Sequence, residues 1–132
     1  MYATPNYAQR TKQVSPDIGV RTGKAAATVS GHKAVVLTSA GILHADPTLA
    51  AHINAVVGIS LNAAVSGDPV RYKSFGEIEH SGWTFSPGSD IFIGADGALT
   101  QIVPTGTAFS QRVAYATTAT KIRVDIQEPI TL

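Results

Sequence analysis

The chain contains no cysteine, which removes disulfides and thiolate chemistry and leaves the redox compartment open. Charge is also scarce: Asp, Glu, Lys and Arg make up 14% of the residues, against about 25% in a typical soluble domain. Aromatic residues reach only 7%, with a single tryptophan. A nucleic-acid binder would normally show a dense basic face with stacking aromatics, and this sequence offers neither. No apolar run approaches the eighteen or so residues of a membrane span, and the leading MYATPNYAQRTK lacks the hydrophobic core of a signal peptide. The expectation is a soluble protein made in a cytoplasm, with neither nucleic acid nor membrane as partner.

What is present is small and neutral. Of the 132 residues, 44% are hydrophobic, and Ala, Val, Thr and Gly supply much of the rest. That length suits one domain. A surface poor in charge suits a protein in lasting contact with neighbours; the plainer alternative is an ordinary β domain with a Ser/Thr-rich exterior. The net charge of +1 is unevenly spread. Residues 1–33 carry Arg10, Lys12, Arg21, Lys24 and Lys33 against Asp17 alone, whereas residues 34–132 hold five basic and eight acidic side chains. A basic leader on a mildly acidic body steers toward an acidic partner.

Residues 1–30 show neither a helical nor a strand period, and Pro5, Pro16, Gly19 and Gly23 interrupt any regular element. They read as an extended arm, loose alone and ordered on a partner, preceding a single β domain over residues 31–132. From His32 onward the signal is β. HKAVVLTS and GILHA flank a turn at Ser39–Gly41, and AVVGIS resumes extended chain. One short helical piece is expected near residues 46–53, with Asp46 as N-cap and Pro47 at the first helical position. Alternation in PVRYKS and GEIEH predicts a hairpin turning through Ser74-Phe75-Gly76, pairing Lys73 with Glu77, Arg71 with Glu79 and Tyr72 with Ile78. In SDIFIGADGALTQI, Asp96-Gly97 between β-formers predicts a two-residue hairpin that sets Ile91 opposite Ile102 and Ile93 opposite Thr100. A calcium loop is excluded there: counting from Asp90, the third, fifth and twelfth positions are Phe92, Gly94 and Gln101. QRVAYA and TKIRVDI complete the strands, with Ile122, Val124 and Ile126 on one face. The predicted class is all-β: a compact antiparallel barrel or sandwich, jelly-roll-like.

The search for chemistry finds no catalytic residues, no metal site and no cofactor. His32, His44, His52 and His80 are scattered, and His44, Asp46 and His52 lack the spacing of a helical zinc pair. No G-x-S-x-G elbow occurs, and the proximity of Ser30 to His32 on an extended chain proves nothing. Glu77 and Glu79 share a face but read as cross-strand partners of Arg71 and Lys73 rather than as an acid–base pair. Trp83, Tyr72, Phe75 and Tyr115 could form a sugar-stacking platform, yet Trp83 serves as readily in a core or an interface. A small hydrolase would need a shielded carboxylate or an activated serine.

The order SGHKAVVLTSAGILHADP, AAHINAVVGISLNAAVSGDPVRY, GWTFSPGSDIFIGADGALTQIVPTGTAFSQRVAYATTATKIRVDI and a final EPITL resembles small structural proteins of tailed-phage virions: capsid decoration (cement) proteins and related head-fibre or tail-associated proteins. The resemblance covers about residues 30–132 and carries no catalytic signature. It implies a β-rich domain on the outer surface of the capsid, bridging copies of the major capsid protein, with no enzymatic activity, and homo-oligomeric on a capsid symmetry axis. The alternative is a head-fibre or tail module contacting the host surface or its glycans. Under this reading the arm lies along the shell or a sister subunit, anchored by Tyr2 and Tyr7, with Arg10, Lys12, Arg21 and Lys24 meeting acidic residues.

Overall fold

Most of the predicted extended segments are strands. The computed structural model describes residues 18–132, and the described chain is almost wholly β. A first sheet is built from β1 (Val20–Lys24), β2 (Ala34–Thr38), β3 (Gly41–His44), β4 (Val56–Ser60) and β5 (Pro69–Lys73), in the order β1-β5-β4-β2-β3. A second sheet holds β6 (Phe75–Glu79), β7 (Asp90–Ile93), β8 (Leu99–Thr100), β10 (Arg112–Ala116) and β11 (Lys121–Asp125), in the order β6-β11-β10-β7-β8. β9 (Phe109–Ser110) and β12 (Ile130–Thr131) form a short separate ribbon. All strand pairs are antiparallel, and the sheets pack as an open sandwich. Each sheet draws on its own half of the chain, so strands do not alternate between layers as in a jelly roll.

The two halves repeat one another. Numbered within its own half, each sheet reads 1-5-4-2-3. The first, second and fourth strands begin at Val20, Ala34 and Val56 in one half and at Phe75, Asp90 and Arg112 in the other, a spacing of 55 or 56 positions. Each half has a register irregularity where its second and fourth strands pair. The turn joining the second and third strands carries a positive-φ glycine in both, Gly41 and Gly97, and the second strand is preceded by a left-handed residue in both, His32 and Gly88.

The repeat explains why there are two apolar cores. In the first half, Val35, Ile42, Val70 and Tyr72 close on one another together with Ala25 and Val29. That sheet curls until its edges meet: Ala25 bridges Ile42, and the Ala26 N–H donates to the Ile42 carbonyl at 2.9 Å. The corresponding face of the second half, with Ile91, Ile122 and Val124, packs instead against the outer face of the first sheet, where Ala34, Val36 and Ile59 are buried. Each fully buried Ile or Phe contributes roughly 1.5–3 kcal/mol, so this seam is the main stabilising contact between the halves.

Four sequence expectations are corrected. The domain starts by β1 rather than at residue 31, because all five residues of β1 pair with β5 and Ala25 and Val29 are fully buried. Small residues permit this: a Cβ on Gly23 would sit 2.7 Å from Ile42 Cγ1. Second, β5 and β6 are not a hairpin. The chain passes through Ser74 from one sheet into the other, β5 pairing with β1 and β4 while β6 pairs with β11. Tyr72 and Ile78 belong to different cores, and a hairpin would have forced them onto one face. Third, the Asp96-Gly97 turn does join two strands, but as a three-residue loop over residues 95–97 closed by Gly94 N–H donating to the Ala98 carbonyl at 2.6 Å. Ile93 therefore faces Leu99, and Phe92 faces Thr100, a shift of one from the predicted register. The short helical piece near residues 46–53 is a single 3-10 turn, Ala50–His52. Asp46 bonds the Thr48 amide and hydroxyl rather than capping that turn.

Candidate functional site

The densest grouping of chemically active side chains lies where the two halves meet. His32 is held before β2 with φ 60°, a left-handed backbone that strains any residue bearing a Cβ. Its N–H donates to the Ser60 carbonyl (2.8 Å) and the Lys33 N–H to Ser60 Oγ (3.0 Å); Ser60 Oγ in turn donates to the Ser30 carbonyl (2.6 Å). Across the seam, His80 follows β6 with its N–H on the Thr120 carbonyl at 2.9 Å. The two imidazoles stack with centroids 4.1 Å apart and planes 21° from parallel. Trp83 meets both edge-on at 5.3 Å and contacts Phe85 at 5.4 Å. Burial, and then the neighbouring His80, hold the His32 imidazole below its usual pKa, because two stacked rings cannot both carry charge without repulsion. The cluster is a clasp of half-buried rings rather than a catalytic pair: no carboxylate orients either imidazole through a hydrogen bond among the described residues.

A second arrangement looks like hydrolase machinery and is not. His44 Nδ1 donates to Asp96 Oδ1 at 3.1 Å, and Ser30 lies at the opposite ring nitrogen. The group bound to His44 Nε2, however, is the Ser30 backbone N–H, at 2.9 Å. That bond occupies the lone pair a general base needs. The pair instead ties β3 to the Asp96 loop, beside Gly97, whose backbone nestles against Ala34 and His44. His52 is likewise committed, its Nδ1 accepting from the Asp46 N–H at 2.9 Å. Hydrogen bonds from the Thr48 hydroxyl and amide lower the Asp46 pKa. Among the described residues no three His, Cys, Asp or Glu side chains converge as metal ligands. A shallow groove of about 340 Å³ lies between Thr28–Ser30 and Ala63–Val65, with Asp68 at its wall.

Charge is concentrated on one face. The outer side of the second sheet carries Glu77 and Glu79 in register with Arg123 and Lys121, and Asp90 and Asp125 on either side of Arg112. Arg112 Nε is 3.2 Å from Asp90 Oδ1 but is not aligned for a hydrogen bond, and its guanidinium lies 5.5 Å from the Tyr115 ring centroid. One exposed apolar side chain, Phe75, shares this face; a separate group lies at the short ribbon. Leu49, Ile130 and Leu132 border a ribbon in which the Leu132 N–H donates to Ala108 O and the Ala108 N–H to Pro47 O.

Of the residues expected to bind a partner, Arg21 and Lys24 are exposed on β1, three apart and so directed to opposite sides of that strand. Tyr2, Tyr7, Arg10 and Lys12 lie outside the described residues. Glu77 and Glu79 face Arg123 and Lys121 instead of Arg71 and Lys73. The imagined sugar platform is dispersed: Tyr72 is in the first core, Phe75 stands 55% exposed, Tyr115 neighbours Arg112, and Trp83 packs against the main core. The His32–His80 stack was missed because forty-eight positions separate its members, and no local pattern links them. No protein-family profile matches the chain, and no curated protein shows significant similarity to it.

Proposed function

We propose that the protein is a capsid decoration (cement) protein of a tailed phage, one that binds the outer shell and bridges copies of the major capsid protein. The observation that carries this reading is the asymmetry of the surface. Charges gather on the outer face of the second sheet, while Leu49, Ile130 and Leu132 stand 47%, 65% and 64% exposed around the short ribbon. A charged side toward solvent and a neutral, apolar side toward a protein lattice is the distribution a permanently docked domain needs. The β12 edge suits this contact, since its neighbours carry no charge nearer than Glu128. Basic side chains supply a second contact to acidic shell residues: Arg10 and Lys12, and Arg21 and Lys24, which are exposed on opposite sides of β1. Oligomerisation over a symmetry axis multiplies modest contacts.

The test is co-sedimentation of the purified protein with empty shells of the major capsid protein. Saturable binding is expected for the natural chain, and at least a tenfold weaker affinity for Ile130→Asp with its melting temperature unchanged. Equal binding by the variant refutes the docking face, and no binding by either refutes the cement role. The half-buried ring cluster of His32, His80, Trp83 and Phe85 favours one second reading, a head-fibre module that touches host glycans.

A further inference from the structure

The two halves are joined by different means along their seam. Near the ribbon, backbone hydrogen bonds cross it: the Ala108 and Phe109 N–H groups donate to the Pro47 carbonyl at 2.8 and 3.2 Å. Between β3 and the Asp96 loop a side-chain bond crosses it, from His44 to Asp96. At the ring cluster each backbone bonds only within its own half. The His32 and Lys33 N–H groups are taken by Ser60. On the other side the His80 N–H goes to Thr120, that of Phe85 to Ala119 and that of Ser86 to the Gln101 side chain. Among the described residues, this corner is therefore closed by packing alone, with His32 on His80 and Trp83.

We infer that the His32–His80 stack is an acid-sensitive latch: when both rings carry a proton the stack parts, the His32 ring swings toward solvent on a backbone still pinned by Ser60, and the Trp83 indole becomes accessible while both sheets stay folded. The rings are open to protons. Both are half-buried, and among the described residues no ring nitrogen of either has a hydrogen-bond partner, whereas His44 and His52 are committed. The charged groups of the surrounding elements supply no counter-ion. Lys33 and His44 abut Gly97, with the His44 ring on Asp96. Glu79 is in register with Lys121 on the outer face of the second sheet. A second proton on the pair therefore sets two uncompensated like charges in rings whose centroids are 4.1 Å apart, an arrangement relieved only by separation. Burial and His80 already hold the His32 imidazole below its usual pKa, which is the same repulsion felt by the closed state. Opening stays local because the core side chains along the seam, Val36, Ile59, Ile91 and Ile122, do not titrate, and protonated His44 retains Asp96 as its counter-ion. The latch belongs to the free protein and is measured without any shell, so its failure is distinct from failure of the cement reading.

The chain has one tryptophan, so acrylamide quenching of its fluorescence reads this corner directly. Between pH 7 and pH 5 the quenching constant of the natural chain is expected to rise at least twofold while its far-UV circular dichroism is unchanged. His80→Phe keeps a ring on His32 but removes the second charge, and its constant is expected to stay flat. No rise in the natural chain overturns the inference. An equal rise in His80→Phe also overturns it and assigns the opening to another group, and loss of circular dichroism over the same range overturns it in favour of global unfolding. Should His80→Phe misfold, proton NMR of the natural chain decides. Nuclear Overhauser contacts between the His32 and Trp83 rings are expected to vanish by pH 5 while those among the Ile91, Ile122 and Val124 methyls persist, and ring contacts that survive overturn the latch.

Discussion

Replacing His32 separates backbone strain from ring contact at the clasp between the halves. His32 adopts φ 60° where the other half places Gly88, and a left-handed conformation costs a residue with a Cβ about 1 kcal/mol. Against that stand the stack on His80 and the edge contact with Trp83, each comparable to an aromatic pair at about 0.5–1.5 kcal/mol. His32→Ala keeps the strain and loses both rings, so it should destabilise by about 1–2 kcal/mol, a fall of roughly 4–8 °C in Tm. His32→Gly loses the same rings but relieves the strain, offset in part by glycine's greater chain entropy; it should therefore lose about 0.5–1 kcal/mol less than His32→Ala. Urea and thermal unfolding followed by fluorescence of Trp83, the chain's one tryptophan, measure both. The pH dependence adds a second constraint. Burial and His80 lower the His32 pKa from 6.5, so the fold favours the neutral ring. This contribution is complete above pH 6.5 and is lost as pH falls through the lower folded value. Between pH 7 and 5 the natural protein should lose more Tm than His32→Gly. If His32→Ala proves as stable as His32→Gly, or the pH profiles run parallel, the clasp does not work as described.

The rest of the structure gives further tests. Gly97→Ala, with φ 75° and a Cβ 2.6 Å from the Ala34 carbonyl oxygen, should cost at least about 2 kcal/mol. Gly67→Ala, with φ 94° and nothing within 4 Å, should show only the backbone strain of about 1 kcal/mol; chemical denaturation distinguishes them. Phe109→Ala empties a fully buried site in the main core and should lose about 3–5 kcal/mol in the same assay. Lys73→Met removes the hydrogen bond to the Glu77 carbonyl, worth about 1–2 kcal/mol, and unguards the β6 edge, so concentration-dependent association should appear in analytical ultracentrifugation.

What the sequence conveyed was periodicity within single strands, and it conveyed that well. The alternation of Ile122 and Val124 with Lys121, Arg123 and Asp125 emerges as one buried and one exposed face of β11. Pairing was harder. Arg71 and Lys73 do complement Glu77 and Glu79 in charge, but surface cross-strand ion pairs contribute only a few tenths of a kcal/mol. Placing Tyr72 and Ile78 in separate cores contributes several times more, and that arrangement depends on strands forty or more residues away. The 91–102 turn was legible while its register was not, since closure falls between Gly94 and Ala98 and takes Ala95 into the loop, which the Asp96-Gly97 pair does not signal. The entry strand escaped notice because Gly23, Ala25 and Ala26 present almost no apolar signal, although their smallness is what brings the chain against Ile42. The seam cluster had no local trace, being assembled from residues of both halves.

The amount of this protein in purified virions tests the cement role most directly. Quantitative gel staining against the major capsid protein should give a ratio fixed by the shell's symmetry and hundreds of copies per particle. A handful of copies, or none, contradicts a decoration role.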